Sequence, residues 1–421
     1  MAAYVLLAAA VALCSLIALL HVPDFYLIVV HLRIGRHAIR AEKEVLQASE
    51  PGLSACPSVC VQLAVYNEQQ VVTAINAICS LDWPAEKLQV MVLDDSSEEM
   101  RAVAEQHIAA WRARGIDVQH FWRPHREAYK AGALAAAFDQ ASAEYIAILD
   151  VDYRPQRDFL RNIMKPLLAT PRAAFIQARL DYWNRNRSAL TRAQALQLDL
   201  YFAYEQAARV WAGVPTPFNG TGAVWRRAAI EDAGGWSARS LLEDLDISLR
   251  AFDKGWLSLH LMTVSVAGEL PDSEAALRPQ RRRWAIGTGQ SFRLLPWNLL
   301  RHVRFDRGAV FGLMSLQHAV VPILVMAALA AALGTWLLDP VKGEIALASL
   351  VASVGLLVAV KSMGAFLATR AAGRPFGRHF LFDLAAMWIL EASLVPLNAR
   401  AQLKGLLQRG ELPFVRTPKK G

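Results

Sequence analysis

Three short apolar stretches of the sequence end in acidic or polar side chains that could do chemistry. The stretches and the residues after them are 59–65 with Tyr66-Asn67-Glu68, 88–93 with Asp94-Asp95, and 145–149 with Asp150-Val151-Asp152. Any one of these groups alone is typical of a turn or a helix N-cap. Together they predict a site where acidic groups gather around a ligand. Carboxylates spaced like Asp150 and Asp152 can bind Mg²⁺ beside phosphate oxygens, and the ion neutralises a diphosphate leaving group.

A lysine and a glycine-rich turn add groups suited to phosphate and hydroxyls. Lys130 precedes Ala131-Gly132, and its ammonium could meet a phosphate or could be solvated at a helix start. The turn Phe218-Asn219-Gly220-Thr221-Gly222 carries polar side chains suited to sugar hydroxyls, although a generic loop has the same composition. Neither segment is specific alone, so both depend on the acidic groups for their interpretation.

A second acidic pair, Glu243-Asp244, follows the turn Gly234-Gly235-Trp236. Acids at a helix start stabilise the helix dipole, which is the structural interpretation. The functional interpretation makes Asp244 a general base that takes the proton of an attacking hydroxyl.

The segment Gln280-Arg281-Arg282-Arg283-Trp284 precedes the most hydrophobic part of the chain. A basic cluster beside apolar spans is typical of the cytoplasmic side of a membrane. Gln280 and Trp284 are not explained by charge anchoring. Arg283 could stabilise diphosphate charge, and Trp284 offers a flat face to a sugar ring.

The elements that must position these residues alternate between strand and helix. Strand-like runs at 59–65, 88–93, 117–122 and 145–149 are separated by helical stretches. This alternation predicts an α/β fold with a doubly wound, mostly parallel sheet. In such sheets ligands bind outside the carboxyl ends of the strands, where the acidic groups lie.

The order of these motifs resembles the membrane-embedded inverting glycosyltransferases of family 2, the branch of cellulose, chitin and hyaluronan synthases. The matching segments are Asp94-Asp95, Asp150-x-Asp152, Glu243-Asp244 and Gln280-x-x-Arg283-Trp284. The resemblance covers about residues 59–300 and implies a GT-A-type catalytic domain at 59–290. Further segments, including Tyr129-Lys130-Ala131-Gly132-Ala133-Leu134 and Phe218-Asn219-Gly220-Thr221, are similar to the mannan-synthase-like group.

The resemblance also implies roles for individual residues. The donor would be GDP-mannose or UDP-glucose, the cofactor Mg²⁺ or Mn²⁺, and the product a β-1,4-linked glycan. By position, Asp94 would contact the nucleoside, Asp150 the diphosphate and Asp152 the metal, and Asp244, paired with Glu243, would be the base. The other substrate-binding residues that we predict are Tyr66, Glu68, Asp95, Lys130, Asn219, Gly220, Thr221, Gln280, Arg283, Trp284 and Thr417.

Charge-free runs predict a multi-pass membrane protein. We predict spans at 1–37, 309–338 and 345–367, a connector at 38–58, interfacial helices at about 292–303 and 380–405, and a tail at 411–421 similar to the gating loop of cellulose synthases. The first run lacks the basic start of a cleaved signal peptide. Arginines after it, such as Arg33 and Arg36, place the catalytic domain in the cytoplasm. This topology predicts a location in the cell membrane.

Net charge is +8, but much of it flanks the hydrophobic runs, so we predict a membrane surface and no nucleic acid as partner. The four cysteines lack a second ligand pair at metal spacing and are predicted to be reduced. Three spans are few to enclose a polymer channel, which makes a homo-oligomer possible. The alternatives are a transferase that adds one or a few sugars to a membrane lipid, and a non-catalytic sensor on the same fold.

Overall fold

The computed structural model describes residues 1–47, 56–295, 302–377 and 379–408. Its centre is an eight-stranded sheet in the order β3-β2-β1-β4-β7-β6-β8-β5. The strands are β1 Val59–Val65, β2 Leu88–Asp94, β3 Asp117–Trp122, β4 Tyr145–Asp150, β5 Arg154–Pro155, β6 Ala173–Tyr182, β7 Ala223–Arg226 and β8 Leu257–Gly268.

The sheet is parallel on the side where the acidic motifs lie and mixed on the other. Strands β3, β2, β1 and β4 run parallel, as do β6 and β8. Strand β7 is antiparallel to both β4 and β6, and β5 is antiparallel to β8. The predicted mostly parallel α/β sheet is therefore confirmed, with β7 as an antiparallel insertion between the two parallel groups.

Helices cover both faces of the sheet. They are α3 Val71–Cys79, α4 Glu98–Arg112, α5 Tyr129–Phe138, α6 Phe159–Ala169, α7 Ala189–Asp199, α8 Gln206–Trp211, α9 Arg227–Asp232, α10 Glu243–Asp253 and α11 Glu274–Arg293. Alternate residues of β1 point to opposite cores, Val61 to one and Cys60 to the other. Burial on both faces explains why the central strands β1, β2 and β4 are largely apolar. All four cysteines are free and buried.

Helix α7 begins with a capping box. The hydroxyl of Ser188 accepts a hydrogen bond from the backbone amide of Thr191, and the hydroxyl of Thr191 accepts one from the backbone amide of Ser188.

A π-helical turn, Leu200–Glu205, joins α7 to α8. π-Helical turns are rare and are frequently found at functional sites. Here the turn lies against the membrane helices, where Tyr204 donates a hydrogen bond to the carbonyl oxygen of Asp24.

The remaining helices are α1 Ala2–Leu20, α2 Val22–Gln47, α12 Phe305–Leu338, α13 Pro340–Ala371 and α14 Phe380–Leu407. Within the described residues, four helical segments are long and apolar enough to cross a membrane: α1 with α2, then α12, α13 and α14. These helices make the chain a membrane protein. Length and composition therefore permit α14 to cross as well, and its interfacial placement stays a prediction.

Two predicted boundaries differ from the observed helices. Helix α2 continues to Gln47, so residues 38–47 of the predicted connector are helical. Of the predicted interfacial helix at 292–303, the first two residues end α11, and 296–301 lie outside the described residues. The tail at 411–421, which contains Thr417, also lies outside them. Residues 38–47 are polar, so they resemble a connector, but they continue the helix that begins in the apolar segment.

Helices α11 and α14 touch backbone to backbone. A Cβ at Gly405 of α14 would collide with the carbonyl oxygen of Ile286 in α11. Only glycine allows this approach, because it has no side chain. The helix that contains Gln280 and Arg283 is thus fixed directly on α14.

Candidate active site

A cleft of about 340 Å³ opens at the carboxyl ends of β1, β2 and β4. It brings together fourteen of the sixteen residues predicted to form the site, although they are distributed over more than 200 positions of sequence. These residues are Tyr66, Glu68, Asp95, Lys130, Asp150, Asp152, Asn219, Gly220, Thr221, Glu243, Asp244, Gln280, Arg283 and Trp284. Asp94 does not line the cleft, and Thr417 lies outside the described residues.

Lys130 joins the end of β4 to the glycine-rich turn. Its ammonium pairs with Asp150 and donates to the carbonyl oxygen of Gly220 at 2.6 Å. Burial favours the neutral amine, but the carboxylates of Asp150 and Glu243 outweigh it and raise the pKa of Lys130. Thr221 fixes the other side of this junction, because its hydroxyl accepts from the backbone amide of Asp150 at 2.9 Å. The lysine is a fixed cation at the centre of the cleft.

Asp244 lies in the first turn of α10, facing the glycine-rich turn. Burial and the neighbouring Glu243 carboxylate raise the pKa of Asp244 to about 7. A carboxyl of that pKa is well matched to general base catalysis near neutral pH. Gly220 has φ +81°, a backbone conformation that favours glycine. A Cβ at this position would lie 3.2 Å from Asp244 Oδ2, so glycine also allows the turn to pack closely against the Asp244 carboxyl.

Arg283 and Trp284 enter the cleft from α11. Burial lowers the pKa of Arg283, and Glu243, Asp150 and Asp244 oppose that shift. Its guanidinium therefore lies within electrostatic reach of the acids on both sides of the cleft. Arg281 instead faces away, and its guanidinium stacks on Trp284 at 4.9 Å from the ring centroid. The stacking holds the indole on the wall of the cleft.

Asp94 and Asp95 have separate roles. Asp94 is 1% exposed, and its carboxylate accepts from the Ser96 amide at 2.8 Å and pairs with His120 at 2.9 Å. Burial raises the pKa of Asp94, but the hydrogen bonds from His120 and Ser96 outweigh it and lower that pKa. Asp95 lines the cleft and holds Arg123 through two hydrogen bonds of 2.7 and 2.6 Å. The predicted nucleoside contact is thus better placed at Asp95, because Asp94 points from β2 into the interior.

Several residues of the site have no motif of their own. Arg126 lines the cleft with its guanidinium 3.5 Å from the centroid of the Tyr66 ring, and Tyr153 lines the cleft as well. Gln177 is fully buried in β6, where its amide donates to the carbonyl oxygen of Thr221 at 2.9 Å and its oxygen accepts from the Asn219 amide. A polar residue within the apolar first half of β6, Ala173-Ala174-Phe175-Ile176-Gln177-Ala178, is the one signal that could have identified Gln177.

The carboxylates of the cleft could hold a divalent ion only together with ligands from a bound substrate or water. Within the described ranges, no group of three or more His, Cys, Asp or Glu side chains converges as an ion-binding cluster. Of the six carboxylates that line the cleft, Asp150 and Asp152 are the two that follow one strand with a single residue between them. One or two carboxylates are what Mg²⁺ uses when phosphate oxygens and water complete its coordination. The residues therefore fit an ion that arrives with a diphosphate.

Comparison with known proteins gives this arrangement a family. Residues 145–360, half of the chain, match the model of Glycosyl transferase family group 2. The chain belongs to this family. It is 31% identical over 369 residues to glucomannan 4-beta-mannosyltransferase 9 of Arabidopsis thaliana, covering 86% of this chain and 67% of that protein.

Other relatives of this glycosyltransferase align with a shorter part of the chain. Identity to glucomannan 4-beta-mannosyltransferase 2 of Arabidopsis thaliana is 38% over 263 residues, 61% of this chain and 49% of that protein. The chain thus spans about half the length of several curated relatives. A mannosyltransferase from Pyrobaculum calidifontis, solved with GDP-Man and Mn2+, superposes with a TM-score of 0.61 at 18% identity, over 94% of this chain and 99% of that one. This likeness confirms the predicted GT-A-type fold.

A second cavity of about 470 Å³ lies between the catalytic sheet of the glycosyltransferase and helices α12 to α14. It shares Tyr153, Asn219, Leu242, Asp244 and Trp284 with the cleft. The two spaces therefore meet at the carboxyl group that is predicted to be the base. Two adjoining spaces of this kind can hold two reactants, one on each side of the Asp244 carboxyl.

Proposed function

We propose that this glycosyltransferase moves mannose from GDP-mannose to a hydroxyl of a growing β-1,4-linked glycan, with inversion at the anomeric carbon. The observation that carries the proposal is the position of Asp244, whose pKa of about 7 and place between the two cavities suit a base. The names of the Arabidopsis relatives support mannose. UDP-glucose is the alternative donor.

In the proposed reaction the acceptor oxygen attacks the anomeric carbon while the bond from that carbon to the diphosphate oxygen breaks. The acceptor proton goes to Asp244, and the diphosphate leaves with the bonding electron pair. Lys130 and Arg283 are the cations placed to stabilise the charge that develops on it. Glu243 keeps Asp244 basic enough to accept the proton.

We infer that Asp150 and Asp152 would hold Mg²⁺ or Mn²⁺ together with the donor diphosphate. The Mn2+ complex of the Pyrobaculum calidifontis mannosyltransferase supports this inference. When bound, the ion would neutralise diphosphate oxygens. Release of Asp150 from Lys130 would free a carboxylate oxygen for it.

We propose a cytoplasmic catalytic unit at the inner face of the cell membrane. Arginines next to the apolar helices support this orientation: Arg33 and Arg36 in α2, Arg307 at the start of α12, Arg370 in the last turn of α13, and Arg374 just after that helix. The donor would then be taken from the cytoplasm.

Product analysis tests the proposal. Purified full-length chain is incubated with radiolabelled GDP-mannose or UDP-glucose and Mg²⁺ or Mn²⁺, and products are separated by ethanol precipitation and by partition into chloroform–methanol. We expect label from GDP-mannose in a precipitate that β-mannanase digests. Label in the organic phase would instead establish the glycolipid-forming alternative, which the apolar walls of the second cavity favour. Failure to consume either donor would favour the non-catalytic sensor.

A further inference from the structure

The carboxylate of Asp94, which does not line the cleft, lies between two groups that extend in opposite directions. Its Oδ1 accepts a hydrogen bond from the backbone amide of Ser96 at 2.8 Å, and its Oδ2 is 2.9 Å from Nε2 of His120 in β3. The other ring nitrogen of His120, Nδ1, pairs with Glu105 of α4. The imidazole therefore joins a carboxylate in the interior to a carboxylate at the surface.

The geometry around His120 calls for an imidazolium ion. Both ring nitrogens face carboxylate oxygens, and a neutral imidazole has only one N–H to donate, whereas the imidazolium has two. The positive charge also compensates the Asp94 carboxylate, and a buried charge that loses its partner is strongly destabilising. Burial lowers the pKa of His120, but the hydrogen bonds to Asp94 and Glu105 outweigh it and raise that pKa.

Charged groups face His120 from both elements packed against it. Strand β2 presents Asp94, and helix α4 presents Glu105, which also pairs with Arg112 of the same helix at 3.1 Å. The side chains of Glu105 and Arg112 are 48% and 45% exposed, so water can replace a lost partner there. The side chain of Asp94 is fully buried. Loss of the charge on His120 therefore acts mainly on Asp94.

The Asp94 carboxylate is connected through Ser96 to the loop that follows β1. Ser96 Oγ accepts from the backbone amide of Asn67 at 2.8 Å, and the side-chain oxygen of Asn67 accepts from the Ser97 amide at 2.8 Å. Asn67 has φ +51°, a conformation that residues other than glycine rarely adopt, so it depends on such support. Residues 66–68 all line the cleft. The hydrogen-bonded chain thus runs from the surface of α4 to a wall of the cleft.

We propose that His120 is a positioning residue of the donor site: as imidazolium it fixes Asp94 and, through Ser96, holds residues 66–68 in the conformation that binds the donor nucleotide. The inference rests on the proposed function for the identity of the ligand, and it deepens it by adding a pH-dependent control of donor affinity. His120, Asp94 and Ser96 do not line the cleft, so the effect falls on affinity and not on the chemical step.

The direction of the pH dependence follows from the charge. His120 is an imidazolium only below its pKa, so the support is complete at low pH. It is lost as pH rises through that raised pKa, which lies above the ordinary value of about 6.5. Donor affinity should therefore decrease toward alkaline pH.

Nucleotide binding measures this control without requiring turnover. Full-length chain in lipid nanodiscs with Mg²⁺ is titrated calorimetrically with GDP and, separately, with UDP, between about pH 6 and 8.5. If the loop of His120→Gln is competent in about one molecule in ten, Kd at pH 6 rises about tenfold. Wild-type Kd should approach the same value as pH rises. With GDP-mannose as substrate, KM of His120→Gln should rise likewise while kcat is unchanged.

Glu105→Gln keeps His120 and changes its titration. Removal of the negative neighbour lowers the pKa of His120, so the rise of Kd should begin at lower pH than in the wild type, with Kd at pH 6 nearly unchanged. His125→Gln is the matched control, since His125 is exposed between β3 and α5 and lines neither the cleft nor the second cavity. Its profile should follow the wild type, including any titration of the nucleotide itself.

Three outcomes would overturn the inference: the wild type binds neither nucleotide, His120→Gln binds as tightly as His125→Gln, or the profile of Glu105→Gln coincides with that of the wild type. If His120→Gln does not fold, the profile of Glu105→Gln decides. Failure of the proposed function is distinct. It would appear as no consumption of GDP-mannose or UDP-glucose by a chain whose nucleotide binding still depends on His120.

Discussion

The cleft and the second cavity differ most in charge. The cleft is lined by six carboxylates and three cations: Glu68, Asp95, Asp150, Asp152, Glu243, Asp244, and Arg126, Lys130, Arg283. The cavity is lined by fewer charges, and Glu205 there pairs with both His318 at 3.2 Å and Lys361 at 3.7 Å. An acidic cleft suits a diphosphate that arrives with a divalent cation, whereas balanced charges suit a neutral sugar. Substitutions should therefore separate donor chemistry from acceptor choice.

The largest effect is expected at the point where the two spaces meet. Asp244→Asn should lower kcat on the order of a thousandfold, because the amide cannot take the acceptor proton. Binding of GDP-mannose, measured by calorimetry, should persist. Asp139→Asn, which changes an exposed carboxylate after α5, should leave kcat unchanged. Turnover retained in Asp244→Asn would remove the base from the mechanism and with it the distinction between the spaces.

The next largest effect is expected at Arg283, which lines the cleft but not the second cavity. Arg283→Gln should lower kcat on the order of a hundredfold, because the departing diphosphate loses a cation. Arg282→Gln is the matched control, since Arg282 is exposed on the same helix. Affinity for mannotetraose should be the same in both variants. Equal losses of kcat would show that α11 acts through its net charge, not through Arg283.

A smaller effect concerns the pH dependence of the base. With the pKa of Asp244 near 7, kcat/KM should fall as pH decreases through that value, because the protonated carboxyl cannot act as a base. Glu243→Gln removes a negative neighbour that disfavours ionisation, so the acidic limb should move to lower pH. Profiles from pH 5 to 9 measure this shift. An unmoved limb would assign it to another group.

The smallest effect is expected at Arg123, which holds residues of the cleft in position but does not line the cleft itself. Arg123 binds Asp95 and donates to the backbone carbonyls of Glu127 and Tyr129, just before Lys130. Arg123→Lys loses the two-point geometry, so KM for GDP-mannose should rise about fivefold with kcat nearly unchanged. Arg114→Lys, at an exposed position after α4, is the control. A large loss of kcat would mean that Arg123 contributes to the chemistry.

Much of the cleft could be predicted because its acidic groups directly follow apolar strand segments, even though those segments lie far apart in sequence. Acids at or just after the end of a buried parallel strand lie at the carboxyl ends of the strands, where ligands bind. Asp150 and Asp95 are found there. The direction of Asp94 was not predictable in the same way. Successive residues of a strand point to opposite sides, and a shift of one position decides which aspartate faces the ligand.

The second cavity could not be predicted, because its lining residues come from elements that meet only in the folded chain. Gln317 and Gln402 each stand in a helix whose pattern indicates a membrane contact and nothing more. Likewise, the sequence Leu200–Glu205 has the composition of an ordinary helix, and packing on α13 accompanies its π-helical form. Tertiary packing overrides local preference at such points.

The close contact at Gly405 has a consequence for the lipid environment. Apolar helices adjust their tilt to the hydrocarbon thickness of the bilayer. Since no side chain separates α14 from α11 at this point, a change in the tilt of α14 displaces the helix that carries Arg283. We therefore expect the rate of sugar transfer to change with acyl chain length where α14 crosses the bilayer, and to be independent of it where α14 lies in the interface.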